Sequence, residues 1–124
     1  IGYAEAGSAG ASYADSAFEG AKIMDAIKQT EALMEVKSGS ATFAVVDVLL
    51  AKSIVGAGDY ADLAIVDSLT SEPEYYAIGF EKGSALTAQV NAQLEKLAAD
   101  GTIKALAEKY GLENAAILDY SDQK

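Results

Sequence analysis

Short segments with strand-like patterns recur along this chain, and helix-like stretches separate them. The strand-like segments are residues 1–4, 21–27, 42–46, 63–66 and 75–80. Segment 42–46, Thr-Phe-Ala-Val-Val, is a continuous run of β-branched and apolar residues, as expected of a central parallel strand. Strands that alternate with helices at this spacing predict a three-layer α/β fold, with a mostly parallel sheet and helices on both faces.

The helices are predicted from their start signals and from their apolar periodicity. In the first part of the chain, helices are expected to begin at about Ala9, Thr30 and Val48. In the last part, two apolar faces at helical spacing flank a break at residues 100–102. These faces consist of Leu86, Val90, Leu94 and Leu97, and then of Ile103, Leu106, Ala107 and Tyr110.

Composition limits the classes of function that the chain can perform. The net charge is −10, and all nine basic residues are Lys, so the sequence lacks the basic clusters that bind nucleic acid or anionic membranes. It contains no His and no Cys, which removes the commonest metal ligand, the usual general base and a thiolate nucleophile. We therefore expect no nucleic-acid partner, no metal and no cofactor. Since Ala dominates and Trp is absent, we expect a core of small side chains.

Ligands of open parallel sheets bind beyond the carboxyl ends of the strands, at a topological switch point. The loop Gly7-Ser8-Ala9-Gly10 lies between a predicted strand and a predicted helix. Its glycines let the backbone approach a ligand closely, and the free N–H groups at a helix start favour an anion such as a carboxylate. The alternative is an ordinary helix N-cap in a tight turn, and the pattern alone leaves both interpretations open.

Asp47 is the second candidate, because it directly follows the apolar segment 42–46. A carboxylate at the end of a buried strand can accept hydrogen bonds from the ammonium group of a ligand. Asp is also a favoured N-cap residue, so it can equally begin the next helix. Spacing does not distinguish the two roles.

Residues 74–112 carry a family resemblance. A strand-like segment leads through a Lys-Gly-Ser turn at 82–84 into a long amphipathic helix, and the second helix ends with Lys-Tyr-Gly-Leu at 109–112. This string resembles the C-terminal signature of the extracytoplasmic solute-binding proteins of polar amino-acid ABC transporters. The resemblance extends over residues 1–112 and implies half of a type II periplasmic-binding-protein fold, in which residues 75–80 form an antiparallel crossover strand.

The resemblance also implies roles for the candidate site residues. In the family, the amides and hydroxyl of a Gly-Ser turn hold the ligand α-carboxylate, and the segment from Glu5 to Gly10 looks like that turn. Asp47, at the end of the pattern that begins at Gly39, matches the family's Asp that meets the α-amino group. Two departures are Ala9, where the family has Thr or Ser, and Phe43, where it has Asp. The second change is expected to alter strand packing.

Further expectations concern the organisation of the chain. By resemblance, residues 1–80 form lobe two with the crossover strand, residues 81–118 are helices that dock on lobe one, and residues 119–124 form a polar tail. Alternation along a strand puts Tyr75 and Tyr76 on opposite faces, so at most one of them lines the cleft near the hinge. The alternative role for these tyrosines is core or hinge packing. The family's ligand-clamping Arg belongs to lobe one, and this sequence has no Arg. We therefore expect a half-clamp that binds its ligand weakly.

The leading functional hypothesis is a non-enzymatic amino-acid-binding component of an ABC importer, with the permease as its partner. The location implied is extracytoplasmic, in the periplasm or on a lipid anchor, although the sequence from Ile1 shows no signal peptide. Two alternatives are a ligand-sensing domain of a larger receptor and a dehydratase-like enzyme with Glu5 as its acid. The apolar faces of the C-terminal helices are expected either to fold back on the sheet or to exchange with a second chain in a homodimer.

Overall fold

A computed structural model describes residues 1–120, which belong to two compact units, Ile1–Pro73 and Glu74–Lys124. The first unit contains β1 (Gly2–Glu5), α1 (Ala9–Ala17), β2 (Ile23–Ala26), α2 (Gln29–Lys37), β3 (Phe43–Val45), α3 (Val48–Ile54) and a 3-10 turn at Gly58–Tyr60. The second contains α4 (Leu86–Ala99) and α5 (Thr102–Lys109). Over residues 1–120, none of these helices has the length and apolar character needed to cross a bilayer.

The three strands form a parallel sheet in the order β2-β1-β3. The connection from β1 to β2 and the connection from β2 to β3 run in opposite directions across the sheet. Since parallel crossovers are right-handed, α1 and α2 cover opposite faces. The prediction of an α/β fold with a parallel sheet is confirmed. β1 is the central strand, so the carboxyl ends of β1 and β3 are neighbours at one edge of the sheet.

Close packing of α1 on the sheet depends on small residues. The ring of Phe43 lies directly over Gly2, where an added Cβ would stand 2.4 Å from two ring carbons. The same ring packs against Phe18, which follows α1, with ring centroids 4.6 Å apart. The Phe43 ring therefore fills the space above a strand glycine, while the expected change in strand packing relative to the family's Asp stays a prediction.

The buried core is made almost entirely of alanine, as the composition predicts. In the first unit the buried hydrophobic residues are Ala4, Ala14, Ala26, Ala32, Leu33, Ala41 and Ala51, and in the second unit Ala107 is buried. Each Ala buries little apolar area, so the hydrophobic stabilisation per residue is small. Side-chain hydrogen bonds near the helix ends contribute in addition. One example is Glu31 in α2, whose carboxylate accepts from the backbone N–H of Ile27 at 2.9 Å.

Two predicted strands are absent from the described residues. Residues 63–66 and 75–80 are irregular, and neither segment joins the sheet. The prediction of an antiparallel crossover strand at residues 75–80 was therefore wrong. A strand exists only where its backbone groups pair with a neighbour, and the apolar pattern of these segments does not specify that neighbour. Several of their side chains are exposed, including Val66 at 58% and Ile78 at 65%.

The two C-terminal helices meet at the predicted break. Gly101 has φ +85°, and Asp100 Oδ1 accepts a hydrogen bond from Thr102 N at 2.9 Å. The side-chain and backbone hydrogen bonds of Thr102 lower the pKa of the Asp100 carboxyl. Of the predicted apolar faces, Leu86 and Leu106 remain about half exposed, at 55% and 50%. The homodimer through these helices stays a prediction, as do the domain limits at residues 80 and 118. Of the predicted polar tail, residues 121–124 lie outside the described residues.

Candidate functional site

The loop between β1 and α1 is a helix N-cap. Ser8 Oγ accepts a hydrogen bond from Ala11 N at 3.0 Å, and Ser8 N donates to the Glu5 carbonyl at 3.1 Å. Gly7 makes the turn with φ +71°, which glycine adopts without strain. The capping alternative is therefore confirmed for Ser8.

The same loop also has hydrogen-bond donors that the helix cap does not use. The backbone N–H groups of Ala9 and Gly10 have no acceptor among residues 1–120, as is usual in the first turn of a helix. Ser8 Oγ accepts from an amide, so its own hydroxyl hydrogen can still be donated. Three donors therefore lie together at the start of α1, where the helix dipole favours an anion.

The first turn of α1 contacts the carboxyl end of β3. A Cβ built on Gly10 would lie 3.3 Å from Val45 Cγ1 and 3.4 Å from the Val45 carbonyl oxygen. Asp47 follows Val45 by two residues, which span at most about 7 Å of extended chain. The fold thus brings the start of α1 to the loop that carries Asp47, at the carboxyl edge of the sheet, which is the edge where open α/β sheets bind ligands.

Asp47 begins α3. Its Oδ1 accepts hydrogen bonds from Leu49 N at 2.9 Å and from Leu50 N at 3.0 Å. The capping alternative is confirmed for this residue also. Asp47 as a whole residue is half-buried.

Gln29 is a site residue that sequence reasoning missed. Its side-chain Oε1 accepts a hydrogen bond from the backbone N–H of Asp47 at 2.7 Å. The sequence-based start of α2 at Thr30 left Gln29 outside the helix, whereas α2 begins at Gln29 itself. The signal was its position shortly after β2, because the carboxyl ends of parallel strands lie at the same edge of a sheet.

The remaining candidates have different surroundings. Glu5 is the last residue of β1 and is half-buried. Tyr75 and Tyr76 belong to the second unit, where both side chains are exposed, at 72% and 79%. They lie in irregular chain, so the argument from strand alternation does not apply to them.

Two negative findings bear on the chemistry of the protein. Within residues 1–120, no group of three or more acidic side chains is arranged to hold a metal ion. Comparisons with protein families, with characterised proteins and with solved structures found no match to this chain.

Proposed function

We propose that this chain is a solute-binding module that holds a polar amino acid at the carboxyl edge of its sheet. In this proposal it belongs to the extracytoplasmic component of an ABC importer, on a type II periplasmic-binding-protein fold, and delivers its ligand to a permease. The α-carboxylate meets the start of α1, and the α-ammonium group meets Asp47.

The observation that carries the proposal is the close approach of Gly10 to Val45. It sets the unpaired N–H groups of Ala9 and Gly10 beside the loop of Asp47. A zwitterion needs donors for its carboxylate and an acceptor for its ammonium group, and these must lie close together. Helix starts bind anions through oriented N–H groups, which fits the carboxylate end of such a ligand.

The expected affinity is low. The site draws its groups from one sheet edge, and the sequence offers no Arg for a bidentate bond to the carboxylate. A ligand held on one side stays in contact with water on the other, where a single ion pair contributes about 0–1 kcal/mol. We therefore expect millimolar binding, and calorimetry that finds micromolar binding to the monomer would refute this part.

The test is an NMR titration of the ¹⁵N-labelled chain with polar L-amino acids. Each amino acid is compared with its deaminated acid and with its decarboxylated amine. We expect saturable shifts at the amides of Ala9, Gly10 and Asp47, with the amino acid binding more tightly than either analogue. Saturable shifts that avoid these three amides, or none with any amino acid, would contradict the proposal.

Two variants separate ligand binding from helix capping. Asp47→Asn keeps an acceptor oxygen for the cap but removes the charge, and Asn is as good an N-cap as Asp. This variant should bind the amino acid and the amine more weakly, while its melting temperature stays close to that of the wild type. Ser8→Asp also keeps a cap, but it places a negative charge where the ligand carboxylate binds. This variant should therefore bind the amino acid and its deaminated acid more weakly. If both variants bind like the wild type, these residues cap helices and do nothing more.

A further inference from the structure

One hydrogen bond joins the starts of two helices that follow strands which are not neighbours in the sheet. Gln29 follows β2 and Asp47 follows β3, and β1 lies between these strands in the sheet. The bond from Asp47 N to Gln29 Oε1, at 2.7 Å, therefore reaches across the end of β1. Both residues are half-buried, so the bond is partly shielded from competing water.

Asp47 is held from two directions as a result. The bonds from Leu49 N and Leu50 N orient its carboxylate, and they belong to the same short stretch of chain. The bond to Gln29 is the long-range one, since it ties the Asp47 backbone to the start of α2. Local capping orients the carboxylate relative to α3, whereas Gln29 places it relative to the rest of the sheet edge.

We propose that Gln29 is a positioning residue, which sets the distance between the Asp47 carboxylate and the amides at the start of α1. This inference rests on the proposed function, in which those two groups take the opposite ends of one amino acid. Loss of the Gln29 acceptor lets the Asp47 loop move and leaves the α1 amides where they are. The ammonium contact then weakens, and the carboxylate contact does not.

The experiment compares Gln29→Leu, which has no acceptor, with Gln29→Glu, which keeps an acceptor oxygen at the same reach. Thr30→Ala, at the next and exposed position of α2, is the control. The first readout is hydrogen exchange of the Asp47 amide in the full chain. We expect Gln29→Leu to speed this exchange about three- to tenfold, as the loss of one hydrogen bond implies. The other two variants should leave it close to that of the wild type.

The second readout is the affinity of Gln29→Leu for an amino acid and for its deaminated acid. We expect the amino acid to bind about three- to tenfold more weakly and the acid to bind as before. If Gln29 had a purely structural role, Gln29→Leu would lower the affinity for both ligands or for neither. Either result overturns the inference. So does an unchanged Asp47 amide in Gln29→Leu, or equally fast exchange in Gln29→Glu. If the wild type binds neither ligand, both the proposed function and the binding role of Gln29 are refuted. The hydrogen-exchange data still decide whether Gln29 holds the Asp47 backbone in place.

Discussion

Replacing Gly2 with Ala tests the packing of the sheet against α1, because two effects of opposite sign compete there. Gly in a strand interior is usually less favourable than Ala, by roughly 0.5–1 kcal/mol, so the substitution would ordinarily stabilise the protein. At this position the new Cβ would stand 2.4 Å from Cε2 and Cζ of Phe43. Carbon atoms in contact are normally about 3.5–4.0 Å apart, so the ring must move by about 1 Å or more.

The ring of Phe43 has limited freedom to move. It packs against Phe18 at 4.6 Å between centroids, and Phe18 contacts Tyr13 edge to face at 6.1 Å. Overpacking of a well-filled site costs about 1–3 kcal/mol. After the favourable backbone effect is subtracted, Gly2→Ala should lower the free energy of unfolding by about 1 kcal/mol, within roughly 0–2.5 kcal/mol. For a cooperative unit of the size of Ile1–Pro73, a loss of 1 kcal/mol corresponds to a melting temperature lower by about 4–8 °C.

The assay is urea unfolding of four proteins in a double-mutant cycle. Phe43→Leu removes the ring atoms that the new Cβ would meet, so Gly2→Ala should be neutral or stabilising in that background. The two substitutions should show an interaction energy of at least about 0.5 kcal/mol. A Gly2→Ala variant that is more stable than the wild type would refute the close approach of Phe43 to Gly2. An additive cycle would show that any loss has another cause.

Two more predictions concern helix ends. Asp47→Ala removes the acceptor that caps α3 and should lower the free energy of unfolding, measured by urea unfolding, by about 1 kcal/mol. Asp47→Asn keeps an acceptor and should lower it by a few tenths of a kcal/mol at most. Equal losses in the two variants would mean that the charge, and not the cap, stabilises the helix. The lowered pKa of Asp100, held by hydrogen bonds from Thr102, means that its stabilising contribution is complete above the usual Asp pKa of about 3.9 and is lost as pH falls through the folded-state value. Carbon-13 NMR between pH 6 and pH 2 should find the Asp100 midpoint below that of an ordinary Asp, and Thr102→Val should raise it; an unchanged midpoint in the variant would contradict the side-chain bond.

Local signals predicted the helix ends well. Ser8 and Asp47 are residues whose side chains accept from the first amides of a helix, and they begin α1 and α3 as cap preferences indicate. The Gly101 break between α4 and α5 is also a local feature. These features could be read from the sequence because each involves residues only a few positions apart.

The strands at residues 63–66 and 75–80 were predicted wrongly because pairing is not a local property. Their apolar patterns match those of the strands that do form, yet in the described residues neither segment has a neighbour in the sheet. Gln29 was overlooked for a related reason. Its partner, Asp47, lies 18 positions away, and their contact exists only because β2 and β3 end at the same edge.

Sequence alone therefore determined the α/β class, the small-residue core, the approximate starts of the helices and the exclusion of His and Cys chemistry, since these follow from residue types and short-range geometry. Only the tertiary structure decided the strand order β2-β1-β3, the approach of Gly10 to Val45 and the bond between Gln29 and Asp47. These depend on which strands pair and on where each crossover helix packs. The pairing of strands and the packing of helices are set by the free energy of the whole assembled sheet, so they cannot be read from any single segment.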